Sequence, residues 1–290
     1  MRWSRLVPAA FLLTVAIPAT AGDFDEIKVE RAADKLQFAE GPTWLRDGWL
    51  LFCDVPSNRI MKFVPGQGTE VFRENSNGAS GTAMDSQGRL YVCESRERRV
   101  TRTDKKGKIE VLAEKFQGKR LNAPNDIAVR HDNHVYFTDP PFGAQMDARQ
   151  LDFFGVYHIT PKGEMEVVAR PKGRPNGIAF APGGKILYVT NSDEKKVYAY
   201  DLDKNGVASG ERVLISGIDG IPDGIRTDEK GNLYIAAKGV SVYSSEGKLL
   251  RYVALGEKPS NMAFGDVDMQ SLYVTARTSL YRLRLPFKGW

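Results

Sequence analysis

Ile221-Pro222-Asp223-Gly224-Ile225 is followed, eleven residues after its aspartate, by Tyr234 within Asn232-Leu233-Tyr234-Ile235. The same grammar recurs along the chain: a polar residue ahead of small or apolar ones, a polar turn, then Leu-Tyr-Val or a near copy. Glu40 stands eleven residues before Leu51, Ser80 eleven before Tyr91 and Asn125 eleven before Tyr136; Asn176 and Asn261 stand twelve before Tyr188 and Tyr273. Six copies at a period of 39 to 52 residues are the sequence signature of a repeat architecture.

Each copy reads as strands. Leu90-Tyr91-Val92-Cys93, Val135-Tyr136-Phe137-Thr138 and Leu187-Tyr188-Val189-Thr190 are short, aromatic and β-branched. Turn chemistry bounds them, as in Ser86-Gln87-Gly88, Pro182-Gly183-Gly184 and Lys230-Gly231-Asn232. Further strands follow, such as Arg59–Phe63 then Glu70–Phe72, and no segment sustains a helical apolar period over three turns. About four strands in each of six units predict an all-β, six-bladed β-propeller with four-stranded blades. The last unit offers Tyr281-Arg282-Leu283 as its third strand and then stops. Its fourth is predicted to come from Ile27-Lys28-Val29-Glu30, closing the ring and hiding an edge. A β-sandwich is the rival fold, but it leaves six units in fixed register unexplained.

The remaining bounds come from composition and the chain start. At 290 residues, with 42% apolar and 10% aromatic side chains, the chain can bury a substantial core. Arg2 and Arg5, the apolar run Leu6–Ile17 and Ala19-Thr20-Ala21 have the form of a cleavable export signal. The expectation is a signal peptide over 1–21, one propeller domain over 22–290, a periplasmic or secreted location and no membrane association after cleavage. Removing Arg2 and Arg5 leaves 39 basic against 36 acidic residues, interleaved along the chain, which speaks against a nucleic-acid partner. Cys53 and Cys93 each fall two residues after the repeated Leu51 or Tyr91, so they should point the same way in successive blades and remain buried free thiols. The unit from Tyr136 to Tyr188 carries surplus sequence after Asp139, through Phe142 to Phe154, that reads either as a flap over one channel mouth or as aromatic packing against the blade edge. The three histidines, His131, His134 and His158, read as ordinary surface or strand residues.

In a propeller the first strand of each blade lines the axis. One register position therefore becomes a ring around one mouth: Glu40, Ser80, Asn125, Asn176, Asp223 and Asn261. Every member offers oxygen, and carboxylate and amide oxygens suit Ca²⁺ better than Zn²⁺ or copper. Glu40 and Asp223 would balance a divalent charge. Pro-Asn-Gly and Pro-Asp-Gly are also strong turn sequences, so turn chemistry by itself could place several of these residues. Glu40 is not a turn residue, and the register holds to within one residue in all six copies.

Phe38-Ala39-Glu40-Gly41-Pro42-Thr43-Trp44, Leu121-Asn122-Ala123-Pro124-Asn125-Asp126, Tyr136–Gly143, Pro175-Asn176-Gly177 and Pro222-Asp223-Gly224 together resemble the gluconolactonase/regucalcin (senescence marker protein) family, in family order, over most of Phe38–Thr275. The resemblance implies a six-bladed propeller holding a divalent ion, usually Ca²⁺, in its channel. It implies that Glu40, Asn125, Asn176 and Asp223 bind the metal, with Asp223 as general base and Asn125 also contacting substrate. Three positions depart from the family: Ser80 where Asn is common, Glu94-Ser95-Arg96 without a histidine often found there, and Ala123 where regucalcin-like members carry Arg.

These readings converge on a metal-dependent hydrolase of lactones or similar cyclic esters, with a small-molecule, sugar-derived substrate. Asp223 is expected to activate water, Asn125 and Asp139 to position substrate, and the loop around Phe142 to cover it. Two rivals stand beside it: a metal-dependent esterase or phosphotriesterase on the same ring, and a calcium-stabilised binding propeller without catalysis.

Overall fold

The computed structural model describes residues 18–142 and 146–290. The expected signal segment lies outside the described residues up to position 17, and so does the part of the long loop at 143–145.

The described residues form six four-stranded antiparallel sheets and one two-residue-long hairpin, Lys115–Phe116 with Lys119–Arg120. Within the first five sheets the strands follow chain order from inside outward. In the first blade these are Ala39–Leu45, Trp49–Asp54, Arg59–Val64 and Gly68–Arg73. The second strand is the repeated aromatic segment: Leu90–Glu94, Val135–Asp139, Ile186–Asn191, Leu233–Ala236 and Ser271–Ala276 in the later blades. It is buried along almost its whole length because it is covered on both faces by neighbouring sheets. The outermost strands, such as Gly68–Arg73, are mostly exposed.

The repeated tyrosine explains the repeated polar turn. Tyr91, Tyr234 and Tyr273 each donate a hydroxyl hydrogen bond to an aspartate six or seven residues earlier, Asp85, Asp228 and Asp266. Asp85 and Asp228 also accept backbone N–H bonds from the turn that follows them. One side chain thus closes the turn and ties it to the core, which is why strand and turn repeat in step.

The innermost strands contact one another in chain order, and the sixth contacts the first. The sixth blade is built from both ends of the chain: Asn261–Gly265, Ser271–Ala276 and Ser279–Arg284, completed on its outer edge by Lys28–Ala33. The predicted ring closure is therefore found. Cys53 and Cys93 are both buried free thiols, at the second-strand position that Thr138, Thr190 and Thr275 occupy in other blades.

At the axis, backbones crowd. Gly41 takes φ +46°, and a Cβ there would overlap the carbonyl of Ser80 in the next blade. Gly177 meets the Asp223 carbonyl in the same way and donates its N–H to it at 3.1 Å. The glycine after a ring residue is the contact point with the following blade's ring residue.

Candidate active site

Glu40, Ser80 and Asn176 are the second residues of the innermost strands Ala39–Leu45, Ala79–Met84 and Pro175–Phe180. Asn125 and Asp223 stand two residues before Ile127–Val129 and Ile225–Thr227. All five line one cavity of about 500 Å³ at the channel mouth. Residues separated by up to 183 positions in the chain thus share one space.

Hydrogen bonding prepares the polar groups. The Asn176 amide donates to Ser192 Oγ at 3.1 Å, and the Asn125 amide reaches Ser80 Oγ at 3.5 Å. Among the described residues neither asparagine's Oδ1 accepts a hydrogen bond, so each amide keeps an oxygen available. Glu40 uses one oxygen to accept from the Gly41 N–H at 3.0 Å. Burial pushes the Glu40 carboxyl well above the usual range, and the Asp223 and Asp126 charges push the same way. Burial also raises Asp223 to about 7, against the pull of the Lys258 ammonium.

Two carboxylates and two amide oxygens in one pocket form an oxygen-only donor set of the kind a hard divalent cation takes. Among the described residues no cluster of three or more His, Cys, Asp or Glu side chains suits a metal. The fit to a cation therefore rests on the asparagines as much as on the acids. The two raised carboxyls point the same way: this much buried negative charge is more stable beside a cation.

Behind the ring, off the cavity wall, lies a buried ion pair that sequence reasoning passed over, whose aspartate pushes the Glu40 and Asp223 carboxyls upward. Asp126 is fully buried, accepts the Ile127 and Ile178 N–H groups, and meets the Arg226 guanidinium at 3.5 Å. Arg226 also donates to the Ile225 carbonyl at 2.6 Å.

Two expectations need correction. Asp139 does not line the cavity: it is fully buried behind the wall, where its carboxylate accepts the N–H groups of Asn122 and Ala123 at 2.8 and 2.7 Å. Asp54 does the same for Gln37 and Phe38 in the first blade. Asp139 thus shapes the loop leading to Asn125 and has no reach to a substrate. Asn261, the sixth ring member, is absent from the cavity wall, and its Oδ1 accepts the Met262 N–H at 2.8 Å. The histidines are surface or strand residues, as read: His131 is exposed and His158 lies in the strand Gly155–Ile159, where it forms a buried pair with His134 at 2.6 Å beneath Tyr136, away from the cavity, and bonds Glu166 at 2.8 Å.

The long loop divides between its two readings. Pro140 and Phe142 line the cavity, and the Arg174 guanidinium lies 4.7 Å from the centre of the Phe142 ring. Phe153 packs against Phe116 and Tyr157 at the blade edge.

Sequence reasoning also missed Phe38, Val55, Ser95, Arg174, Ser192, Ile221 and Lys258 on the wall. A register signal existed. Four residues after the repeated Leu or Tyr come Val55, Ser95, Pro140 and Ser192; two residues before the ring come Phe38, Ala123, Arg174 and Ile221. Ser95 and Ser192 each donate to the carbonyl of the proline preceding the next ring residue, Pro124 and Pro222. Lys258, three before Asn261, lies off both registers.

Comparison with known proteins agrees with this architecture. Residues 38–278 match the family described as "SMP-30/Gluconolactonase/LRE-like region". The chain is 31% identical over 288 residues to a gluconolactonase of Zymomonas mobilis, covering 88% of this chain and 81% of that protein. A solved gluconolactonase from Xanthomonas campestris superposes with a TM-score of 0.85 at 30% identity, covering 93% of this chain and 94% of that one. A calcium-binding regucalcin from Agrobacterium tumefaciens shares the fold at a TM-score of 0.77 and 21% identity, covering 90% and 95% of the two chains.

Proposed function

The chain belongs to the SMP-30/gluconolactonase/LRE-like family and is a lactonase-type hydrolase, and from that premise we propose that it opens sugar lactones with water activated by Asp223. The observation that carries the reading is the convergence of Glu40, Asn125, Asn176 and Asp223, from four blades, on one cavity.

A divalent cation, calcium on this oxygen-only donor set, would be held by those four residues and would polarise the lactone carbonyl. Asp223 takes the proton of the attacking water; burial raises its carboxyl to about 7, so it combines base strength with availability near neutral pH. The charge of a bound cation opposes that rise, leaving a modest base suited to an activated ester and inadequate for an amide. Water adds to the ring carbonyl, the ring C–O bond breaks, and the departing ring oxygen receives the proton, giving an open hydroxy acid. Asn125, steadied by Ser80, orients the substrate. Phe38, Val55, Ile221 and Phe142 give the sugar ring apolar walls, and Phe142 is held over its edge by Arg174.

The deciding assay compares glucono-1,5-lactone, an aryl acetate and an organophosphate triester, each with and without added Ca²⁺. Calcium-dependent turnover of the lactone well above the other two supports the reading. A preference for the aryl or phosphate ester moves the protein to another hydrolase class, and no turnover of any of them leaves a binding propeller.

A further inference from the structure

Lys258 sits in the segment that leads into the sixth blade's innermost strand, half-buried, on the wall of the cavity. The other cation on that wall, Arg174, is already matched: its guanidinium meets Asp193 at 2.6 and 3.0 Å and covers the Phe142 ring. Lys258 has neither a salt bridge nor a side-chain hydrogen bond among the described residues. Its neighbour Glu257 is turned away, accepting bonds from Thr278 and Ser279. The carboxylates facing the cavity are Glu40 and Asp223, and neither comes within salt-bridge distance of the Lys258 ammonium. A divalent cation would balance those two acids. One positive charge then remains, with neutral Ser95, Ser192 and apolar side chains for its company on the wall.

A half-buried ammonium with no partner in contact loses hydration and gains only the longer-range pull of Asp223, whose charge a bound cation would offset. A ligand that brings a negative group to it recovers that loss through a charge-assisted hydrogen bond. We propose that Lys258 is a specificity-determining residue that selects sugar lactones bearing an anionic substituent, such as a phosphate, sulfonate or carboxylate, away from the ring ester. This rests on the lactonase reading for the chemistry, while the binding of the anion rests on the cavity alone. Arg174 does not compete for the anion, because Asp193 already occupies its fork. A lysine suits the task, since its single flexible ammonium can follow a substituent without demanding planar, bidentate geometry.

The test measures kcat and KM separately for glucono-1,5-lactone and 6-phosphoglucono-1,5-lactone with the wild type, Lys258→Gln and Lys258→Arg, at constant ionic strength with Ca²⁺ present. The wild type is expected to favour the phosphorylated lactone in kcat/KM by tenfold or more. Lys258→Gln should lose at least tenfold of that preference, through KM, and Lys258→Arg should restore most of it. A wild type that favours the neutral lactone, or a preference unchanged in Lys258→Gln, overturns the assignment. If the wild type opens neither lactone, the lactonase reading falls, and calorimetric binding of 6-phosphogluconate decides the anion site by itself. A Kd at least tenfold weaker in Lys258→Gln sustains it; equal affinity, or no binding to the wild type, removes it.

Discussion

Thr190 donates its hydroxyl hydrogen to the main-chain carbonyl of Asp223, 2.6 Å away across a blade boundary. Thr138 does the same for Asn176 at 2.7 Å. The second strand of one blade therefore fixes the backbone of the next blade's ring residue. Thr190→Val should leave that carbonyl without its hydroxyl donor, costing about 1–3 kcal/mol of stability and lowering kcat. Thr190→Ser should recover both. Thermal melts and lactone kinetics on the two variants check this; a Val variant equal to wild type in both would remove the clasp from the account.

Asp223→Asn keeps the shape and an oxygen but removes the base. Turnover should fall by roughly 10²–10⁴-fold while circular dichroism stays that of the wild type. Wild-type turnover in this variant would rule out Asp223 as the group that activates water.

Chelation should lower both melting temperature and activity, with recovery on adding Ca²⁺ back. A ligand present at a hundred times its Kd stabilises by about 2.7 kcal/mol. Differential scanning calorimetry with EGTA reads this directly, and a melting temperature indifferent to EGTA would speak against a resident calcium ion.

Gly41→Ala should be among the worst single substitutions. The residue has φ +46°, and a methyl group there meets the Ser80 carbonyl, so a loss of at least about 2 kcal/mol is expected. Urea denaturation of Gly41→Ala against Gly66→Ala separates strain from crowding. Gly66 has φ +78° but open space around it.

The Asp139 carboxyl gives a pH-dependent term. Burial pushes it up to about 7, against the N–H donors of Asn122 and Ala123, while the unfolded chain has the ordinary value near 3.8. The folded state then holds its proton more tightly, so this group's contribution falls as pH rises from about 4 through about 7. The stability difference between wild type and Asp139→Asn should therefore be more favourable to wild type at pH 5 than at pH 8. Two denaturation curves per protein suffice, and a difference independent of pH would mean the carboxylate stays ionised throughout.

The architecture was legible because the repeated tyrosine and its turn are local chemistry: an aromatic residue tied to an aspartate six or seven positions earlier leaves a mark on the sequence itself. Convergence of Glu40, Asn125, Asn176 and Asp223 followed from counting that repeat. Asp139 was misplaced because adjacency to the cavity loop was taken for contact, although Asp54 at the same register signals its backbone-capping role. Lys258 was invisible because it stands in a connecting segment, where no strand period dictates which way a side chain points. The Asp126–Arg226 pair joins residues a hundred positions apart, and nothing in either neighbourhood names the other.

Because Lys28–Ala33 and Ser279–Arg284 lie in one sheet, the ring cannot lock until Ser279–Arg284 has been made. Earlier blades can collapse one by one during synthesis, yet the pocket that needs all of them opposite one another has to wait. A ribosome-bound fragment that stops before Asn261 would be an open arc with an unsealed edge, and the enzyme's activity would begin abruptly once the closing strands are in place.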